Sequence, residues 1–358
     1  MLYHWLYPLS HSSHLFNIFK YITFRSFIAF IVATLVSIFW GKRFIALMKL
    51  KQFGQSIREE GPESHKKKKG TPTFGGVFIL GSAVIACLVS GNFYSFPFLI
   101  ALFVTISYFF LGGLDDYLKV LKKNSKGVSA RQKLAWQFST ALLASFVMIK
   151  YGVTDSKIYL PFLKEAVVDI GWWYVPFAAF VIVGSSNALN LTDGLDGLAI
   201  GPTITSAATL GLLAYLAGHS ELASYLYIPY VPDVGELLVL VSAIIGAGVG
   251  FLWYNAYPAE IFMGDVGSLS LGGGLGTIAV LTKNEFLFVL IGGIFVIEAV
   301  SVILQVASFK TRGKRIFKMA PIHHHFELKG WPETKVIVRF WIVSLIFAIL
   351  ALSTLKLR

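Results

Sequence analysis

The chain has 358 residues, of which 56% are hydrophobic and only 14% charged, with a formal net charge of +12 and a mean hydropathy of +0.70. That balance excludes a water-soluble domain, and the length of the apolar runs excludes a transmembrane β-barrel, whose strands are short and alternating. With Cys87 the single cysteine, and inside an apolar run, an intrachain disulfide is excluded too.

The segment Met1 to Phe19 has no basic residue before Lys20 and no small-residue cleavage site, so it is read as an interfacial lead-in rather than a signal peptide. Ten apolar runs follow, at 21–41, 73–91, 96–114, 134–150, 172–190, 198–217, 237–253, 268–282, 286–307 and 336–354. Each is expected to form a helix across the hydrocarbon layer, about 30 Å thick. The expected fold is therefore an all-α polytopic integral membrane protein, residues 1–358 forming one membrane-embedded domain. Arg25, near the start of the first span, is expected to snorkel to the interface.

The loops at about 42–72, 115–133 and 308–339 hold 23 of the 31 Lys and Arg residues. By the positive-inside rule they are cytoplasmic, and an even number of spans then puts both termini on the other side. The opposite loops hold Asp155, Glu165, Asp169, Glu221, Asp233, Glu236 and Glu285. Topology accounts for much of the positive charge, and the remainder suits anionic lipid or an anionic substrate. No nucleic-acid recognition module accompanies it.

The acids are placed where solubility does not require them. Asp115, Asp116, Asp193, Asp196, Glu260 and Asp265 all fall at cytoplasmic membrane boundaries, in three loops: 115–133, 191–197 and 254–267. Desolvating carboxylates there costs several kcal/mol unless a cation or hydrogen-bond donors compensate. Asp115 and Asp116 are expected at the C-terminal end of the third span, where the helix dipole disfavours them, and Lys119 or a divalent cation would offset the charge. In the run from Asn255 to Ser268, Phe262, Gly264 and Asp265 precede Ser268, expected to N-cap the eighth span. Its backbone N–H groups would receive phosphate oxygens while Asp265 holds a metal. Asn187 and Asn190 share one face of the fifth span, and Glu298 and Gln305 one face of the ninth. His323, His324 and His325 are consecutive, so regular structure cannot turn all three toward one zinc ion; beside Lys and Arg they read as phosphate donors. An ion-coupled transporter is the rival class, and it predicts charges at span centres, of which there are few.

Five stretches together resemble the phospho-N-acetylmuramoyl-pentapeptide transferase family. They are Thr71 to Gly76, Leu114 to Lys119, Asn187 to Gly197, Phe262 to Ser268 and Ala320 to Glu327. Phe74 stands where that family more usually has Met, and Glu260 where it has a neutral or basic residue. A sister family using UDP-N-acetylglucosamine shares the acidic motifs but usually differs in the histidine stretch.

The resemblance implies transfer of phospho-N-acetylmuramoyl-pentapeptide from its UDP-linked donor to undecaprenyl phosphate, with release of UMP, on the cytoplasmic side of the bacterial inner membrane. It implies Mg²⁺ held by Asp265, Asp115 accepting a proton from the lipid phosphate and Asp116 orienting the site. Lys69, Asn187, Asn190, Asp193, Asp196, Asn255 and Phe262 would bind the nucleoside, and Lys119, Lys133, His323, His324 and His325 the phosphates. Direct attack and a covalent aspartyl intermediate are both compatible with these residues. A homodimer is implied as well.

Overall fold

The computed structural model describes residues 2–11, 13–50, 70–121 and 127–355. Lys69, expected at the nucleoside, lies outside the described residues. After a short α1 (Leu2–Leu6), the helices are α2 (Ile22–Leu50), α3 (Gly75–Ser90), α4 (Phe96–Leu121), α5 (Ala130–Lys150), α6 (Tyr174–Thr192) and α7 (Ile200–Ala217). They continue as α8 (Ser220–Leu226), α9 (Leu237–Asn255), α10 (Gly264–Leu281), α11 (Glu285–Ile291), α12 (Gly293–Arg312), α13 (Ile322–Glu327) and α14 (Glu333–Ser353). Among the described residues the strands are one antiparallel pair, Lys157–Ile158 with Val168–Asp169, in the loop between α5 and α6.

All ten expected spans coincide with helices, and among the described residues eight helices are long and apolar enough to cross a membrane. The ninth expected span is broken at Gly292 into α11 and α12. The third is longer than expected: α4 runs on to Leu121, so Asp115 and Asp116 sit inside the helix rather than at its C-terminal end. The dipole argument falls away there, because that field fades within the last turn. Burial and like-charge crowding remain as the cost. The eighth begins earlier than expected, at Gly264, so Ser268 is an interior residue whose Oγ donates back to the Gly264 carbonyl at 2.9 Å. It is not an N-cap.

The bundle is built around α10, in which every residue from Val266 to Leu281 is buried. Its small residues permit that position. A side chain at Gly272 would collide with the backbone of Ser185 and Ser186 on α6, and one at Gly273 with the Tyr108 ring on α4. Ser185 Oγ and Ser186 Oγ use the close approach to donate to the carbonyls of Gly272 and Leu269, at 2.7 and 2.8 Å. Packing of small residues with interhelical hydrogen bonds replaces the hydrophobic drive that lipid does not supply. Its consequence is that the first turn of α10, with Asp265, is held between α4 and α6 at one end of the bundle.

At the other end, Arg25 does not snorkel. It is 1% exposed and pairs in bidentate fashion with Glu236, at 2.7 and 2.6 Å, its guanidinium 4.4 Å from the Tyr3 ring centroid. A buried acid partner removes the reason to reach for water. Lys283, buried beside Glu285, is 3.2 Å from Asp155 Oδ1 and lies over the Tyr174 ring. It ties the strand-pair loop to the α10–α11 junction.

Candidate active site

Four helices supply the centre of the site. Ser129 caps α5 with a reciprocal capping box to Gln132, which fixes the start of the helix and sets Lys133 and Gln137 one turn apart on one face. α4 presents Asp115, Asp116 and Lys119; α10 presents Asp265; and α6 presents Asn190. Lys119 Nζ is 2.6 Å from Asp115 Oδ2 and 3.0 Å from Asp265 Oδ2. Lys133 Nζ is 2.9 Å and 2.6 Å from the same two oxygens. The two ammonium groups therefore bridge Asp115 and Asp265.

Neutral donors complete the compensation. Asn190 Nδ2 donates to Asp265 Oδ1 at 3.0 Å and to Ser268 Oγ at 2.8 Å. The Val128 N–H reaches Asp115 Oδ1 at 2.7 Å, and the Val266 N–H reaches Asp116 Oδ2 at 3.0 Å. In the first turn of α10, Asp265 also lies at the positive end of the helix dipole. Gly264 opens that helix with φ +75, and a Cβ there would stand 2.4 Å from Asp116 Oδ2. The missing side chain is what lets α4 and α10 bring their carboxylates together.

Asp193, at the C-terminal end of α6, accepts a hydrogen bond from the Gly264 backbone. Its outer surface is partly open, but protein surrounds the carboxyl itself. Burial, and then the charges of Asp265 and Asp116, push its pKa up to about 7. Three of the loops singled out from sequence thus meet: Asp115 and Asp116, Asp193, and Asp265.

The outer wall is made by loop–loop pairing. Gly75 and Gly76 donate their backbone N–H groups to the carbonyls of Phe262 and Met263, and the Phe262 N–H donates to Pro72. This places the half-buried Phe262 two residues before Gly264. Asn255 is buried with its amide engaged on both sides, accepting from the Gly197 N–H at 2.9 Å and donating to the Ile261 carbonyl at 2.8 Å. Asp196 is buried and accepts from the Ala259 N–H at 3.0 Å. Both hold the 193–199 loop against the 255–263 loop, a structural task the sequence did not reveal.

The histidine stretch forms α13, and its three rings go separate ways. His323 is fully buried, its Nδ1 3.1 Å from Glu298 Oε1 and its Nε2 against the backbone of Gly194, next to Asp193. His324 Nδ1 is 2.8 Å from Glu327 Oε2. His325 Nδ1 accepts from the Lys318 N–H at 3.0 Å; burial, Lys329 and Lys318 hold its pKa below the usual histidine value. Gln305 accepts from the N–H groups of Ile316 and Phe317 and so anchors the chain leading into α13.

Oxygens of Asp115, Asp116 and Asp265 lie within 4.8 Å of one another. Opposite ligands around a cation that holds oxygens at about 2.0–2.1 Å are about 4 Å apart, and carboxylates are the ligands such a hard cation selects. The residues present fit a divalent ion of the Mg²⁺ type.

The chain matches the family model described as glycosyl transferase family 4 over residues 98–283. It is also similar, over the full length of both chains, to proteins named phospho-N-acetylmuramoyl-pentapeptide-transferase. The identities are 56% for the protein of Pelobacter propionicus, 55% for that of Citrifermentans bemidjiense and 52% for that of Oleidesulfovibrio alaskensis.

The chain belongs to the phospho-N-acetylmuramoyl-pentapeptide-transferase family.

In this family member Gln137 escaped the reading of the sequence. It is buried on α5, accepts from Asn187 Nδ2 at 3.0 Å and donates to Ser186 Oγ at 3.1 Å. Its signal was its spacing: Gln137 follows Lys133 by four residues and opens an otherwise apolar face. Glu333, which accepts from the Asp196 N–H at 3.1 Å, had none, because an acid in the first turn of a helix is ordinary.

Proposed function

We propose that the protein transfers phospho-N-acetylmuramoyl-pentapeptide from UDP to undecaprenyl phosphate, releasing UMP and forming the first lipid-linked peptidoglycan precursor. One observation carries the reading: three carboxylates and two lysines from α4, α5 and α10 converge at the end of a membrane bundle. Phosphoryl exchange between a lipid phosphate and a soluble nucleotide requires that combination, since one anion must approach another at the interface.

An oxygen of the lipid phosphate attacks the sugar-linked phosphorus, a P–O–P bond forms, the bond to UMP breaks, and UMP leaves with the electron pair. One phosphoanhydride replaces another, so the exchange is close to thermoneutral. Asp115 accepts the proton of the lipid phosphate if it arrives protonated. Asp116, held by the Val266 N–H, shapes the carboxylate side of the site. The ammonium groups of Lys119 and Lys133 are the donors available to phosphate oxygens as charge moves from nucleophile to leaving group. Mg²⁺, held by Asp265 with Asp115 and Asp116 within reach, supplies neutralisation of the phosphate charge when bound.

Asp193, Asn187, Asn190 and Phe262 bind the nucleotide-sugar, with Phe262 stacking on the base, and Gly264 and Ser268 complete that wall. Asp196 and Asn255 act on it by fixing the loops. His323, against Gly194, serves the phosphates, with His324 and His325 beside it on α13. The whole chain works as one domain in the bacterial cytoplasmic membrane, as a homodimer, with the site on the cytoplasmic side and both termini outside. The test is UMP release from the muramoyl-pentapeptide and N-acetylglucosamine nucleotides, with and without undecaprenyl phosphate and Mg²⁺. Release only with the muramoyl substrate, and only when lipid and metal are both present, supports the reading; equal or preferred use of the N-acetylglucosamine nucleotide assigns the protein to the sister activity.

A further inference from the structure

Asn187 lies on α6 about one turn deeper in the bundle than Asn190. Its Nδ2 donates to the Val183 carbonyl at 2.8 Å and to Gln137 Oε1 at 3.0 Å. Gln137 Nε2 donates to Ser186 Oγ at 3.1 Å, and Ser186 Oγ donates to the Leu269 carbonyl at 2.8 Å. Backbone carbonyls, which only accept, therefore end this relay on both sides.

Those two anchors fix every amide between them. With the Ser186 proton committed to Leu269, the Ser186 oxygen can only accept, so Gln137 must turn its NH₂ toward it and its carbonyl toward Asn187. Val183 and Gln137 then both demand an N–H from Asn187. Flipping Asn187 would set its carbonyl against those of Val183 and Gln137, and flipping Gln137 would set N–H against N–H and its carbonyl against a hydroxyl oxygen with no proton to give, at about 1–3 kcal/mol for each unmade bond. What remains is Asn187 Oδ1, which accepts no hydrogen bond among the described residues and belongs to a side chain that is only part-buried.

We propose that Gln137 is a positioning residue that holds Asn187 with its carbonyl oxygen toward the site, so that this wall takes an O–H or N–H donor of the nucleotide-sugar and turns away phosphate oxygens. The assignment rests on the substrate-binding reading of Asn187 given above. The sugar-linked diphosphate of the nucleotide is all acceptor at neutral pH and finds nothing to bond in a fixed carbonyl; the hydroxyl and amide groups of a sugar do. Rotating the Asn187 amide would invert that preference, and the Gln137 relay prevents it.

The test is steady-state kinetics on purified full-length protein, varying the UDP-linked sugar and undecaprenyl phosphate separately. Gln137→Met, close in shape but without hydrogen bonds, is expected to raise KM for the UDP-linked sugar about three- to tenfold, as for one lost hydrogen bond. kcat should stay within about twofold of the wild type, and KM for the lipid should not move. Ser186→Ala, which frees the Gln137 amide at little risk to folding, should move KM the same way by less. Asn187→Leu should raise it at least as much as Gln137→Met, and the double variant no further than Asn187→Leu alone, because both remove one interaction. Multiplicative effects in the double variant, a lowered melting temperature with unchanged kinetics, or a rise confined to the lipid KM would overturn the proposal. If Asn187→Leu alone leaves both KM values unchanged, the substrate-binding reading of Asn187 fails rather than the relay.

Discussion

The Nζ of Lys133 lies 2.6 Å from Oδ2 of Asp265, although 132 positions separate the two residues. The same ammonium is 2.9 Å from Asp115, so one cation holds α4, α5 and α10 together at the site. Lys133→Met should lower turnover by about 10²–10³-fold, the usual cost of a lost donor to developing charge. It also leaves Asp115 and Asp265 with one ammonium fewer. Added Mg²⁺ should then raise the melting temperature of the variant more than that of the wild type; an equal rise in both would show that the lysine and the metal do not share these carboxylates.

Gly264 has no room for a side chain, and its φ of +75 disfavours one in any case. Gly264→Ala should cost about 1–3 kcal/mol of stability and push Asp116 off the Val266 N–H. Activity at a temperature where the variant stays folded should fall at least tenfold. Thermal unfolding in detergent together with UMP release checks both effects, and wild-type turnover would mean that the α4–α10 approach does not matter to the chemistry.

Asp193 links pH to stability. Its folded pKa of about 7 exceeds the ordinary value of 3.8, so the folded state binds the extra proton between those two values. Stability from this residue is full below about pH 4 and is lost as pH rises through about 7. With Mg²⁺ chelated, the melting temperature of the wild type should fall relative to Asp193→Asn between pH 5 and pH 8. Parallel curves for the two proteins would contradict the burial of this carboxyl among Asp265 and Asp116.

Much of this was legible in the residues. Ten apolar runs became helices, and the boundary acids that meet at the site were visible because bilayer thickness and desolvation cost leave few alternatives. Tertiary partners were not visible. Arg25 reads as a snorkelling cation until Glu236, 211 positions on, is seen to pair with it. The continuation of α4 past Asp116 was hidden because Tyr117 and Lys119 look like loop; the charged turn is held by Asp265 instead of by lipid-facing hydrophobicity. Ser268 resembled a cap because the proline and glycines before it read as breaks in regular structure, yet here the helix begins four residues earlier, at Gly264 with its φ of +75. Gln137 needed its neighbours Ser186 and Asn187 to acquire meaning.

The Arg25–Glu236 pair should matter to stability alone. α9 runs from beside Glu236 to Asn255 at the site, 19 residues or about 28 Å. Arg25→Leu should destabilise by about 3–5 kcal/mol because Glu236 is left buried and unpaired, and Arg25→Leu/Glu236→Leu should recover most of that. KM for both substrates should stay at wild-type values in each. A double variant as unstable as the single one would show that the pair contributes by more than mutual neutralisation.

The chemistry itself is tested most directly by running it backwards. Purified protein given the lipid-linked product, labelled UMP and Mg²⁺ should move label into the UDP-linked muramoyl-pentapeptide, because one phosphoanhydride is exchanged for another. Asp265→Asn, assayed at a temperature where it stays folded, should move none. Forward UMP release without any back-incorporation, or undiminished Mg²⁺-dependent exchange in Asp265→Asn, would contradict phosphoryl exchange at these three carboxylates.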